Sequence, residues 1–125
     1  MKKQKTEVVV YFPYGDKEKE KLVKNYCKNN DYKIVQIFRG SNDIDLDDIM
    51  WDKAIFKMYN TIIDLSKKHK IEKVILYELN DLNYGLHSQI AICEYMLQVD
   101  VIVETIKQGE YVLDFNFDSS LEIIS

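Results

Sequence analysis

Apolar residues in this chain switch between two spacings, and the switches divide it into alternating strands and helices. Residues 6–12 hold Val8, Val9, Val10, Tyr11 and Phe12 without a polar break. A β-branched run of this kind suits a strand buried on both faces. Pro13 cannot donate to a ladder and ends it; Gly15 permits a tight turn, and Asp16 is placed to cap a helix. Over residues 16–29, Leu22, Val23, Tyr26 and Cys27 form one stripe, and lysines and glutamates fill the other face. Asn29, Asn30 and Asp31 tolerate left-handed backbone and close the helix.

The alternation continues. Residues 32–38 read as a second strand with Ile34, Val35, Ile37 and Phe38, and residues 39–43 as a loop. Residues 44–70 carry the longest helical pattern, with Leu46, Ile49, Met50, Ile55, Met58, Tyr59, Ile62 and Leu65 at helical spacing. Acids crowd its start, and Lys67, Lys68, His69 and Lys70 its end, which suits the helix dipole. Residues 72–79 form a third strand, 80–85 a loop, 86–98 a helix and 100–104 a fourth strand. Beyond Gly109, the residues Tyr111, Leu113, Phe115 and Phe117 alternate with polar ones over 111–117, the pattern of a half-buried edge strand. Such an edge is expected to pack on its own sheet or on a second copy.

Strands alternating with helices predict an α/β fold: a mainly parallel sheet of four to five strands with helices on both faces. The expected core includes Val9, Ile34, Val74, Ile75 and Val101. Tyr11, Tyr26, Tyr59, Tyr77 and Tyr95 also fall on core-type positions. At 125 residues the chain is expected to be one domain over 1–125, with no linker.

Composition narrows the function. Hydrophobic residues at 46% and charged residues at 30% are the mix of a globular protein. No apolar run is long enough to span a bilayer and no secretory leader opens the chain, so it is expected in the cytoplasm without a membrane partner. Cys27 and Cys93 lie outside any metal-binding spacing and read as buried thiols. A net charge of -4 argues that any DNA contact by the chain alone is weak. Of 17 basic residues only Arg39 is an arginine, the side chain suited to bidentate phosphate recognition.

In an open α/β sheet the functional crevice lies beyond the carboxyl ends of the strands. Here that rim collects residues 13–16, 39–43, 80–85 and 105–107. Its candidate chemical groups are Tyr14, Ser41, Asp81 and His87, with Asp81 or Glu78 as partners for His87. None of the four has both a base and several cations beside it. Asp43, Asp45, Asp47, Asp48 and Asp52 lack the Gly and Glu of a calcium loop and read as a solvated helix start. No cofactor and no metal is expected.

Two strand–loop segments, Glu7 to Asp16 and Lys73 to Gly85, resemble the catalytic domain of serine recombinases, the resolvase/invertase family. That family opens on roughly Tyr-x-Arg-Val-Ser, which aligns with Tyr11-Phe12-Pro13-Tyr14-Gly15. Its later loop, roughly Leu-Asp-Arg-Leu-x-Arg, aligns with Leu79-Asn80-Asp81-Leu82-Asn83-Tyr84. The resemblance implies a resolvase-like fold over about residues 6–107. It puts Gly15 at the nucleophile and Asp81 and Tyr84 at the phosphate-binding arginines. The family's long dimer helix and DNA-reading helix-turn-helix have no counterpart in the sequence. The expectation is a domain without recombinase catalysis. It would act as an interaction or regulatory module in DNA recombination or a mobile element, as a homodimer or beside an active recombinase. The alternatives are an active divergent recombinase or nuclease, and a small-ligand receptor using the same crevice.

Overall fold

The computed structural model describes residues 5–13, 15–40, 53–82 and 86–111. Their elements run β1 (Thr6–Phe12), α1 (Lys17–Asn29), β2 (Tyr32–Arg39), α2 (Lys53–Leu65), β3 (Ile71–Leu76), α3 (Leu86–Gln98), β4 (Ile102–Thr105) and β5 (Gly109–Glu110). The sheet order is β2-β1-β3-β4-β5. All neighbours are parallel except β4 and β5. β1 is therefore an interior strand, paired on both sides, which is why Val8 to Phe12 are apolar without interruption: all five are buried.

The pleat of β1 sorts its side chains between two cores. Val8, Val10 and Phe12 pack with Val23 and Cys27 of α1 and Ile75 of β3. Val9 and Tyr11 pack with Ile55, Met58 and Ile62 of α2 and Ile92, Cys93 and Met96 of α3. One helix thus covers one face and two cover the other. Asp16 caps α1, its Oδ1 accepting from the Lys19 N–H at 3.0 Å. Asp31, with φ +58°, makes the left-handed turn into β2.

Several expectations move. Ile34 is only partly buried, because β2 is an edge strand; Val9, Val74, Ile75 and Val101 are buried as expected. Leu22 is 42% exposed, since the lone helix on its face turns only part of the expected stripe inward. Tyr95 is 45% exposed and meets the Tyr59 ring edge-on at 6.2 Å instead of entering the core. β3 starts at Ile71 and stops at Leu76, short of the expected Leu79, and Leu79–Asp81 form a 3-10 turn at the start of the expected loop. β4 ends at Thr105 beside Leu76, and beyond it the Ile106 and Lys107 N–H groups donate to the Leu76 and Tyr77 carbonyls, both at 3.1 Å.

α2 ends at Leu65, five residues before the expected Lys70. Its last carbonyls are taken by turn bonds from Lys67, Lys68 and His69, and Glu7 then draws the chain toward β1. The two-residue β5 pairs antiparallel with β4, and the Tyr111 N–H donates to the Val103 carbonyl at 2.8 Å. The rest of the expected 111–117 strand and the acidic run 43–52 lie outside the described residues.

Candidate functional site

The parallel strands deliver their carboxyl ends to one rim, which includes the loop after β3. Three elements hold that loop. Lys19, in the first turn of α1, donates to Asp81 Oδ1 at 2.7 Å and to Glu78 Oε2 at 3.2 Å. Gln89 of α3 donates to Asn80 Oδ1 at 2.8 Å. Gln108, fixed by Thr105 through bonds of 2.7 and 2.8 Å, accepts from the Leu79 N–H at 3.3 Å. The Tyr77 ring lies near two ammonium groups, Lys19 at 5.3 Å and Lys107 at 5.5 Å from its centroid.

Charges at this rim are matched by opposite charges. Lys107 Nζ stands 4.0 Å from Glu78 Oε1. Across the sheet, Arg39 makes a two-pronged contact with Glu20 at 3.0 and 3.3 Å and lies over Phe12. Burial pushes the Asp81 carboxyl above its ordinary range, and Lys19 only partly offsets this. Burial alone would lower Lys19, but its bonds to Asp81 and Glu78 outweigh that and raise it. Both shifts are upward, which disfavours the charged form of Asp81 and favours that of Lys19. Asp81 bears the larger cost of burial, because its side chain is 5% exposed against 22% for Lys19.

Of the four candidate residues, Tyr14 and Ser41 lie outside the described residues, as does Tyr84. Asp81 is at the rim, but its bonds run to Lys19 and Glu78 and not to His87. His87 is exposed in the first turn of α3. The candidate partners of His87, Asp81 and Glu78, are both bonded to Lys19. Gly15 adopts φ +76°, a backbone region that disfavours side-chain-bearing residues, although open space surrounds it. Among the described residues, no group of His, Cys, Asp and Glu gathers that could hold a metal ion.

A second cluster lies away from the rim, on the α1 face. Glu104 of β4 is 4% exposed and accepts from Tyr26, from Tyr32 at 3.0 Å and from Lys73 at 2.6 Å. Lys73 also reaches Glu110 at 2.9 Å. Burial works against the Glu104 charge, yet these donors hold its carboxyl below the usual range. Lys73 is raised: the same contacts outweigh its own burial. Sequence reasoning missed this cluster. Its signal was a pair of opposite charges at inward positions of neighbouring strands. Cys27 and Cys93 are free and buried, and burial pushes their thiols up to about 11 and about 12.

Two solved structures share this arrangement over nearly its whole length. One is a resolvase family site-specific recombinase from Streptococcus pneumoniae, with a TM-score of 0.73 and 16% identity, covering 96% of this chain and 85% of that one. The other is the N-terminal catalytic domain of TP901-1 integrase, with a TM-score of 0.70 and 12% identity, covering 95% of this chain and 93% of that one. The fold is that of a resolvase-type recombinase catalytic domain. No protein-family model matches the chain, and no curated protein matches it. Within this resolvase-type fold, the α1 start and the β3 loop face one another across the rim, joined by Lys19, Glu78 and Asp81. Among the described residues no helix is long and apolar enough to cross a membrane.

Proposed function

We propose that residues 1–125 form a single resolvase-like domain that has lost strand-exchange chemistry. It works in the cytoplasm as an interaction or regulatory module in DNA recombination or a mobile element, as a homodimer or beside an active recombinase. One observation carries this reading: the rim cations Lys19, Arg39 and Lys107 each face a carboxylate of the same chain. Attack on a phosphodiester needs a nucleophile and cations aimed at the charge that develops. Lys19 and Arg39 are already engaged, and Gly15 brings no hydroxyl. Its left-handed backbone also argues that a serine there would be strained.

The test is incubation of the purified protein with supercoiled and linear duplex DNA, with and without magnesium, followed by denaturing electrophoresis and mass spectrometry. The expected result is no cleavage and no covalent adduct, for the parent and for Gly15→Ser alike. An adduct on Tyr14 or Ser41 overturns the reading in favour of a divergent recombinase or nuclease.

A further inference from the structure

The edge opposite the rim, where the parallel strands begin, carries cations of a different kind. A cleft of about 570 Å³ opens there between the turn after α2 and the turn before β4. Its walls include Lys67, Lys68, Lys70 and Asp100, and its floor is the start of β3 with Glu72. At the rim, Lys19 and Arg39 each sit 3.0 Å or closer to a carboxylate. Here, Lys68 and Lys70 are exposed and make no ion pair among the described residues. Lys67 has only a 3.7 Å contact to Asp64, with both side chains about three-quarters exposed. A pair that exposed contributes little and opens readily.

The backbone presenting these lysines is fixed. Glu7 of β1 meets His69 Nδ1 at 3.1 Å and accepts from the Lys70 N–H at 3.1 Å, so one carboxylate anchors the middle of the basic turn. Lys33 adds a third, looser contact to it at 3.8 Å. Glu7 is thereby occupied, while Lys67, Lys68 and Lys70 around it are exposed. A rigid turn with several outward ammonium groups suits successive phosphates of a backbone. Lys provides charge without the planar fork that reads bases.

We propose that this strand-start cleft is a sequence-independent contact for the phosphate backbone of nucleic acid, made by Lys67, Lys68 and Lys70 with Glu7 as the residue that positions their turn. It deepens the reading above by locating DNA contact on the edge away from the rim. Glu72 and Asp100 line the same cleft, so the contact is weak and steeply salt-dependent.

The test is fluorescence anisotropy of a labelled duplex at low salt, repeated along a salt series. Lys67→Glu/Lys68→Glu/Lys70→Glu is expected to lower affinity at least about tenfold and to flatten the salt slope by about 2 to 3. Lys17→Glu/Lys21→Glu/Lys57→Glu makes the same charge change elsewhere and is expected to have a much smaller effect. Glu72→Gln/Asp100→Asn is expected to tighten binding. Thermal melting checks that each variant is folded.

The proposal is overturned if the parent shows no affinity at low salt, or if the two lysine triples weaken binding equally. It is also overturned if inorganic phosphate displaces the duplex where chloride of equal ionic strength does not, since the cleft then takes a small anion. A covalent adduct would sink the function proposed above and leave this contact standing. An indifferent triple at Lys67, Lys68 and Lys70 sinks this contact alone.

Discussion

Lys19 reaches from the first turn of α1 to within 2.7 Å of Asp81 in the loop after β3, and this bond closes the rim between two elements. The pair is asymmetric, because the acid is the more deeply buried partner. Removing the cation strands a buried charge, whereas neutralising the acid removes the group that burial disfavours.

Lys19→Met is therefore expected to cost about 2 kcal/mol, and Asp81→Asn less than about 1 kcal/mol. Urea unfolding at neutral pH measures both. The Lys19→Met penalty should shrink as the pH falls and Asp81 takes up a proton. Equal costs for the two variants would contradict the direction assigned to Asp81.

The Glu104 cluster predicts an acid limb. Its carboxyl is held below its ordinary value of 4.5, so folding favours the ionised form. The stability this supplies is present above about pH 4.5 and is lost as the pH falls through the lowered value. Glu7 and Glu20 shift the same way, and Asp81 opposes them. Glu104→Gln is expected to cost about 3 kcal/mol at neutral pH, by leaving Lys73 without its closest partner. It should also flatten the acid limb in a pH series of thermal melts. An unchanged limb would assign the acid sensitivity to other groups.

Two neighbours on α2 test the phase of that helix. Ile62 is fully buried, while Ile63 is 39% exposed. Ile62→Ala is expected to cost about 3 kcal/mol through lost contacts and the cavity it leaves. Ile63→Ala should cost less than about 1 kcal/mol. Denaturant titration of both variants gives the comparison, and similar costs would place the α2 register in error.

The alternating residues Leu113, Phe115 and Phe117 continue past the described residues, and Phe115→Asp tests their role. A folded monomer where the parent is a dimer, read by analytical ultracentrifugation and circular dichroism, would assign the segment to an interface with a second copy. An unfolded variant would assign Phe115 to the core of its own chain. A folded monomer before and after would remove both roles.

The fold was largely legible in the sequence because burial leaves periodic marks. The unbroken Val8 to Phe12 run suits a strand covered on both faces, and it forms an interior strand of the sheet with all five residues buried. Asp16 and Asp31 announced a cap and a left-handed turn through local chemistry, and both form. The strand–loop signatures at residues 7–16 and 73–85 pointed to the resolvase-type fold. Element ends were less legible. β3 stops at Leu76, level with the end of β4 at Thr105, and α2 stops at Leu65 shortly before Glu7 takes over the chain. Such events depend on residues far away in sequence.

Charge pairing was decided by tertiary structure alone. The sequence displays Asp81 beside Glu78 and near His87, which suggests an acid–base partnership. Only the packing of α1 against the sheet brings in Lys19, from 59 and 62 positions away, to claim both carboxylates. Tyr26, Tyr32, Lys73 and Glu104 likewise converge from α1, β2, β3 and β4. Apolar periodicity is a local property and fixes which face of an element is buried. An ion pair requires two side chains to meet within a few ångströms, and their distance in the chain carries no record of that meeting.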